Sequence, residues 1–234
     1  MKSIRIVYQM IARSGVLVGS TADVLDIGID KTTMRRRRVG RPARQEPLIP
    51  GSTLKGKIRN ECERILATLG YTVCHSPRAE TMCPHDPHVV NSPCPVCHIF
   101  GGSGFQSRLF FSDAVAKADD KIAPYLVRVQ AGVALSRKRR TAEDERLYYI
   151  ERGVEGIVYE GAIDGSLDDA SANQQLALII AAIERLIALG GNKSRGSGWI
   201  TTKITGVTID GKDVNEADLT KIREEGLKAW HKSK

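Results

Sequence analysis

The sequence predicts an α+β fold of the ferredoxin-like type with long insertions between its core elements. Stretches with the two-residue period of half-buried strands alternate along the chain with stretches that have the period of amphipathic helices. Without the insertions they follow the order strand, helix, strand, strand, helix, strand. This is the order of the ferredoxin-like fold and of RNA-recognition modules. The chain of 234 residues is long enough to bury the core of a single domain over residues 1–234.

The first half of the core contains a strand, a helix and a second strand. Residues 3–13 alternate between apolar and polar side chains, which predicts the first strand. Residues 52–69 place leucine and isoleucine on one stripe of a helix, with Ser52 as the predicted N-cap and Gly70 at its end. Residues 108–115 return to strand character and supply the second strand.

The second half contains further strands, one helix and a polar tail. The stretches with strand character are 125–135, 153–164 and 199–209. Leucine and isoleucine recur at helical spacing over residues 176–187, and Gly190 with Gly191 is the predicted C-cap of that helix. Residues 210–234 form a mixed-charge C-terminal tail that we expect to be helical.

Three insertions interrupt these elements. Residues 14–50 contain several acids and a run of four arginines, and this segment is too long for a plain connection, so it is functional or partly disordered. Residues 71–104 are rich in Cys, His and Pro and lack a periodic pattern. Residues 117–152 include the basic run 137–140, and such a charge-rich excursion between strands predicts a protruding hairpin.

The charge of the chain favours a polyanionic partner. The formal net charge is +8 and the sequence pI is about 9.3. From residue 31 to residue 59 ten lysines and arginines face a single acid, Glu46. No signal peptide and no apolar run of membrane-spanning length is visible, so we expect a cytoplasmic protein without a membrane partner.

Two basic, glycine-containing motifs are candidate phosphate sites. At the start of the first helix, Ser52, Lys55, Lys57 and Arg59 surround free backbone N–H groups, although solvated lysines at an ordinary helix start are the alternative. The second motif is the glycine-rich loop of residues 190–198. Its candidate ligands are Lys193, Ser194 and Arg195, and a helix cap followed by a polar turn is the alternative.

Four of the five cysteines lie within the second insertion and form a candidate metal site. Cys94 and Cys97 have the CxxC spacing that allows two thiolates to bind one tetrahedral ion, and Cys74 and Cys83 complete a four-thiolate set. Zn²⁺ in a structural role is the favoured interpretation, because a long segment without a core needs a cross-link. A neighbouring histidine remains possible as the fourth ligand. The candidates are His75, His85, His88 and His98. Reduced free thiols and a redox CxxC are the alternatives.

Four motifs in this order resemble a known family. They are SGVLVGSTADVLDIGID (14–30), PLIPGSTLKGKIR (47–59), CPVCHIFGG (94–102) and GGNKSRGSGW (190–199). Together they resemble the backbone subunits of type III CRISPR–Cas effectors, which belong to the RAMP superfamily. The cysteine insertion is most similar to the zinc-bearing backbone subunits of subtype D.

The resemblance implies a modified ferredoxin-like palm that stacks head to tail along a guide crRNA. The third insertion is then a thumb that wedges into the guide–target duplex, with Arg137 near the RNA. The resemblance also implies an endoribonuclease that cleaves single-stranded target RNA through the 2′-hydroxyl with Mg²⁺ or another divalent ion. Alignment places the catalytic aspartate on Asp30, with Asp26 as the competing position and Asp23 as a more distant one.

Two other functions remain open from the sequence. The family loop usually continues from its aspartate into a short apolar or proline stretch, whereas here residues 31–34 lead into four arginines. A non-cleaving, crRNA-binding scaffold subunit of the same prokaryotic complex is therefore one alternative, and Asp30 is then an Asx-turn residue. A general zinc-containing RNA-binding module is the other. The expected partners of an effector subunit are crRNA, target RNA, other effector subunits and further copies of backbone subunits.

Overall fold

A computed structural model describes residues 1–19, 28–38, 41–86, 93–104, 106–118 and 122–232. The strands are β1 (Lys2–Ala12), β2 (Arg35–Arg38), β3 (Arg41–Ile49), β4 (Leu109–Phe111), β5 (Ala114–Lys117), β6 (Val127–Leu135), β7 (Ala142–Gly153), β8 (Val158–Leu167), β9 (Ile200–Ile209) and β10 (Lys212–Asp213). The α-helices are α1 (Gly51–Thr68), α2 (Pro95–Phe100), α3 (Ala172–Glu184) and α4 (Glu216–Lys232).

Strand β1 lies inside an eight-stranded antiparallel sheet. It pairs with β8 on one side and with β9 on the other. Strands β4 and β5 both pair with β8, so the core strands lie in the order β9, β1, β8 and then β4 with β5. Helix α1 follows β1 after the inserted strands β2 and β3, and helix α3 follows β8. This arrangement is compatible with the ferredoxin-like class that the sequence predicts.

One face of the sheet is covered by α1 and α3. The side chains of β1 on that face are fully buried, and those between them are more exposed. The buried ones are Ile4, Ile6, Tyr8, Met10 and Ala12. Leu54 and Ile58 of α1 and Leu176 and Ile179 of α3 belong to the same core. The alternation in the first strand therefore reflects burial on one side of the sheet.

The predicted serine cap of α1 is wrong. Pro50 is the N-cap residue, and Ser52 lies in the first turn without a capping hydrogen bond. The N–H group of Gly51 instead donates to a carboxylate oxygen of Asp113 over 2.8 Å. A carboxylate beside the positive end of the helix dipole is favourable, so a residue from a distant strand connection performs the capping.

The predicted glycine cap of α3 is also wrong. The helix ends at Glu184 with Arg185 as its C-cap, so Gly190 and Gly191 lie beyond it. A Cβ atom on Gly190 would lie 2.1 Å from the carbonyl oxygen of Leu17. The N–H group of Gly191 donates to the same oxygen over 2.8 Å. These glycines allow two loops to approach closely, which is a tertiary role and not a capping role.

The arginine run is a strand and not part of a loop. Strand β2 pairs with β3, and β3 pairs with β5 of the main sheet. Arg36 donates to the buried Glu46 over 3.1 Å, and Arg35 forms an ion pair with the buried Glu151 of β7. Because these acids compensate the arginine charge, a segment without apolar residues pairs within a sheet.

The predicted protruding hairpin is present. Strands β6 and β7 form a two-stranded sheet of their own, and Arg137 lies exposed in the connection between them. Their register places Val133 opposite Leu147 and Ala131 opposite Tyr149, so these residues share one face. The exposed large apolar residues on the strands are Val129, Val133, Leu135, Leu147 and Tyr149.

The C-terminal tail forms helix α4, which packs against α3. The indole nitrogen of Trp230 donates to the carbonyl oxygen of Gln174 over 2.9 Å. The ring of Tyr71 meets the Trp230 ring edge to face at 5.3 Å, and its hydroxyl donates to the Trp230 carbonyl over 2.6 Å. No helix in the described part of the chain is long and apolar enough to cross a membrane.

We predict opposite effects for two alanine substitutions at helical glycines. A Cβ atom on Gly226 of α4 would lie 2.5 Å from Cβ of Ala177 and 2.6 Å from the carbonyl oxygen of Asn173. Gly226→Ala should therefore lower the free energy of unfolding by about 1–3 kcal/mol. Gly56→Ala in α1, where nothing lies within 4 Å, should raise it by about 0.4–1 kcal/mol. Urea denaturation measures both, and equal effects would contradict the close contact between α3 and α4.

Candidate nucleic-acid interface and metal site

The start of α1 is fixed tightly against the sheet. A Cβ atom on Gly51 would lie 2.2 Å from the carbonyl oxygen of Phe111, so only glycine fits this contact. Leu54 and Ile58 are buried on the inner side of the helix. Lys55 and Lys57 are half-buried. These contacts hold the lysine-bearing side of the helix in a defined position.

The glycine-rich loop is held by backbone contacts to the segment after β1. Besides the bonds at Leu17, the N–H group of Gly198 donates to the carbonyl oxygen of Gly15 over 2.9 Å. Asn192 and Gly196, with φ of 55° and 83°, flank a short 3₁₀ turn. The turn exposes the three predicted phosphate ligands, which are Lys193, Ser194 and Arg195.

The two basic motifs meet at Lys57 and Lys193, whose side chains lie close enough for Lys193 to lower the pKa of Lys57. Burial lowers the pKa of Lys57, and the neighbouring Lys193 lowers it further. Burial and the nearby Arg59 likewise lower the pKa of Lys55. Among the residues described, no carboxylate forms an ion pair with any of these three lysines. Glu61 acts on Lys57 in the opposite direction and raises its pKa, but the lysines outnumber this acid and form a candidate site for an oxyanion.

Arg59 does not join this site. The residue is 9% exposed, and its guanidinium donates to Glu63 over 2.9 Å, to the carbonyl oxygen of Gly101 over 2.6 Å and to Sγ of Cys97 over 3.1 Å. The exposed phosphate contact expected for Arg59 is therefore not observed. Ser52, in contrast, is exposed.

Asp30 is exposed and attached to the base of the hairpin. Its carboxylate accepts a hydrogen bond from the N–H group of Tyr149 over 2.6 Å, and its own N–H group donates to the Tyr149 carbonyl over 3.0 Å. The N–H group that donates to its carboxylate is therefore 119 residues away in the chain. In an Asx turn the donor lies only two residues further on. Asp26 and Asp23 lie outside the described residues.

Glu151 of β7 orders the segment that follows Asp30, although no sequence motif points to this residue. Its N–H group donates to the carbonyl oxygen of Lys31 over 2.8 Å. Its carboxylate accepts from the N–H group of Thr33 over 3.0 Å and pairs with Arg35. No local pattern distinguishes this glutamate from the other charged residues of the hairpin. The contact joins the candidate catalytic segment to the hairpin.

The four cysteines of the insertion come together as predicted. Their sulfur atoms all lie within 4.8 Å of one another, and all four side chains are buried. Cys74 Sγ lies 3.3 Å from Cys97 Sγ and 3.6 Å from Cys94 Sγ. Tetrahedral zinc with Zn–S bonds of about 2.3 Å separates its sulfurs by roughly 3.8 Å, so the cluster fits this ion. Cys62 is buried elsewhere, under α3.

The chemistry of the cluster also fits a divalent cation. The hydrogen bond with Cys97 lowers the pKa of the Cys94 thiol to about 4, and the same bond raises the pKa of Cys97. Burial raises the pKa of Cys74. The thiols thus compete for negative charge, and a divalent cation relieves that competition by binding all four as thiolates.

A histidine ligand is not supported by the geometry. The described cluster contains cysteines alone. Both ring nitrogens of His98 have other partners, since Nε2 lies 2.9 Å from Asp168 and Nδ1 lies 3.4 Å from Gln175. His75 and His85 are absent from the cluster, and His88 lies outside the described residues.

A sheet with helices on one face is the architecture of RNA-recognition modules, and clustered basic residues are typical of nucleic-acid-binding proteins. A sequence profile of the RAMP superfamily matches residues 14–201. The chain belongs to the RAMP superfamily, whose members have CRISPR-associated roles in RNA binding or processing. No curated protein matches the chain significantly.

We predict that the protein binds one zinc ion per chain through the four clustered cysteines. Cys94→Ser should abolish stoichiometric zinc and lower the thermal midpoint, because the insertion loses its cross-link. Cys62→Ser is the matched control, since Cys62 lies outside the cluster. Elemental analysis of the purified variants measures zinc. Equal zinc in the wild type and Cys94→Ser would contradict the assignment.

Proposed function

We propose that the protein is a backbone subunit of a type III CRISPR effector, similar to the zinc-bearing subunits of subtype D, and that it binds guide crRNA. In this proposal residues 1–234 form one palm domain. Its insertions are a catalytic and basic segment (14–50), a zinc-binding segment (71–104) and a thumb (117–152), and the tail covers 210–234. Further copies of backbone subunits, other effector subunits and target RNA are its partners.

The convergence of Lys57 and Lys193 is the observation that supports RNA binding most directly. The charge of Lys193 lowers the pKa of Lys57, so the two ammonium groups repel each other in the free protein. A phosphate between them would remove that repulsion and favour the charged form of Lys57. Such a like-charged pair is the arrangement expected of an anion-binding site.

The other predicted ligands extend this site along the RNA backbone. Lys55 precedes Lys57 by two residues in α1 and so lies about 200° from it around the helix axis, and Ser194 and Arg195 flank Lys193 in the exposed turn. Arg137 at the hairpin tip meets RNA farther away. Such contacts read phosphates and not bases, so base pairing between guide and target supplies sequence specificity.

Lys57→Gln and Lys193→Gln should each weaken binding of crRNA by about 10-fold. Each should also reduce the slope of log affinity against log salt concentration by about one, because one phosphate contact is lost. If both lysines share one phosphate, the double variant should lose less than the sum of the two single losses. Fluorescence anisotropy with labelled crRNA at several salt concentrations measures these effects. Lys221→Gln on α4 removes the same charge from an exposed position and should have no effect.

The same variants should not destabilise the free protein. Because folding lowers the pKa of Lys57, folding disfavours its charged form at neutral pH. Lys57→Gln should therefore raise the thermal midpoint slightly while it weakens RNA binding. A variant that loses both stability and affinity would indicate a structural role for Lys57, and unchanged affinity in both single variants would exclude the proposed phosphate site.

The proposal also assigns target-RNA cleavage to Asp30. The adjacent 2′-hydroxyl attacks the phosphorus, the bond to the 5′-oxygen breaks, and the products are a 2′,3′-cyclic phosphate and a 5′-hydroxyl. Asp30 is exposed and has one carboxylate oxygen beyond the bond to Tyr149. Its role is to accept the proton of the 2′-hydroxyl or to bind a divalent cation. A bound Mg²⁺ supplies charge stabilisation at the phosphate.

The surroundings of Asp30 support a non-cleaving scaffold as a second candidate function. Within the described ranges, Asp30 does not form a cluster with other acidic or histidine ligands, and the nearby Glu151 is buried and engaged by Thr33 and Arg35. A magnesium ion there depends on RNA phosphate oxygens for its remaining ligands, as is common for Mg²⁺.

Asp30→Asn should reduce target-RNA cleavage by a reconstituted complex by at least about 100-fold while crRNA affinity stays unchanged. Asparagine keeps an oxygen that accepts from Tyr149, so the loop should keep its position. Asp213→Asn in β10 is the control, and Asp26→Asn tests the competing position. Cleavage assays with and without Mg²⁺ measure the rates. Undiminished cleavage by Asp30→Asn would remove Asp30 from the mechanism, and no cleavage by the wild type would favour the scaffold.

A further inference from the structure

The guanidinium of Arg59 lies between helix α1 and the four-cysteine cluster. One terminal nitrogen donates to Cys97 Sγ over 3.1 Å and lies 4.0 Å from Cys74 Sγ. The other terminal nitrogen donates to the carbonyl oxygen of Gly101 over 2.6 Å. The side chain is 11% exposed. Arg59 therefore contacts two of the sulfurs and the backbone just after the CxxC knuckle.

A cation at this position matches the charge of a loaded site. Four thiolates around one divalent ion leave two negative charges uncompensated in a buried environment, where they are costly. Hydrogen bonds from a charged donor to the sulfurs lower that cost. Glu63 orients the arginine from the opposite side through Nε, and Ser76 of the insertion donates to the same carboxylate over 3.1 Å.

Arg59 also belongs to the helix that bears the proposed RNA-binding lysines. Lys55 precedes it by one helical turn and Lys57 by two residues, so their Cα atoms lie within about 6 Å along the helix axis. The positive charge of Arg59 is close enough to Lys55 to lower the pKa of that lysine. A change in the position of the guanidinium thus acts directly on Lys55, and it acts on Lys57 through the helix that carries both residues.

We propose that Arg59 is a positioning residue that couples metal loading of the four-cysteine site to RNA binding at the start of α1. When the metal is bound, the thiolates neutralise Arg59 and fix α1 against the insertion, so Lys55 and Lys57 are held for the phosphate. Without the metal, the four sulfurs are no longer held together by an ion, so the contact of Arg59 with the insertion fixes α1 less firmly. By reciprocity, RNA should raise metal affinity by the factor by which metal raises RNA affinity. This coupling rests on the proposed zinc and RNA sites.

The test compares Arg59→Met, Arg59→Lys and the matched control Arg64→Met in the full chain. Arg64 is exposed on the same helix and pairs with Glu61, so it tests the loss of one charge from α1. Zn²⁺ affinity is measured by competition with a chromophoric chelator, without RNA. The Co²⁺-substituted protein reports the thiolate-to-metal charge-transfer band. Anisotropy of a labelled single-stranded RNA is measured for zinc-loaded and zinc-stripped samples.

We expect Arg59→Met to lose about 10-fold or more in Zn²⁺ affinity and to shift the Co²⁺ band, while Arg64→Met matches the wild type in both. Zinc removal should weaken RNA binding several-fold in the wild type and less in Arg59→Met. Arg59→Lys keeps the charge without the planar fork, so its Zn²⁺ affinity should lie between those of the wild type and Arg59→Met. If Arg59→Met does not fold, the Arg59→Lys measurements decide the question.

Unchanged metal affinity and an unchanged Co²⁺ band in the Arg59 variants would overturn the coupling. So would zinc removal that weakens RNA binding equally in the wild type and Arg59→Met. These results differ from a failure of the proposed function, in which the wild-type protein binds no zinc or shows no salt-dependent affinity for RNA.

Discussion

The close contact between Gly51 and the Phe111 carbonyl is the constraint on which the candidate site depends. Because a side chain has no room there, the first turn of α1 lies directly on β4, and the Asp113 carboxylate caps it from the following connection. With its start fixed, the helix presents Lys57 to the glycine-rich loop and Arg59 to the cysteine insertion. A shift of the helix start would change both contacts together.

Charge compensation decides which basic residues are free to bind an anion. Two buried acids and one partly buried acid are matched to particular arginines: Glu46 to Arg36, Glu151 to Arg35 and Glu63 to Arg59. The lysines at Lys57 and Lys193 face each other instead. The arginine run that dominates the sequence is therefore partly structural, and the proposed anion site lies at less conspicuous lysines. Net charge alone does not distinguish arginines that are paired with acids from lysines that are placed to bind an anion.

The insertions contact one another as well as the core. The hairpin of β6 and β7 exposes apolar side chains at its outer part, but at its base it binds Asp30, Lys31 and Thr33 through backbone groups and Glu151. The cysteine insertion lacks a periodic pattern, yet its four buried sulfurs lie against α1 and join the main core. A candidate catalytic segment, a thumb-like hairpin and a metal site are thus all attached to one sheet.

The sequence by itself determined the elements that depend on local periodicity and spacing. The alternation of β1, the helical stripes of α1 and α3, the hairpin, the helical tail and the proximity of the cysteines all follow from neighbouring residues. Only the tertiary structure decided the helix caps, the orientation of Arg59, the strand formed by the arginine run and the meeting of Lys57 with Lys193. The physical reason is that each of these depends on a partner far along the chain, such as Asp113 for Gly51, 62 residues away. No local pattern encodes such a pairing.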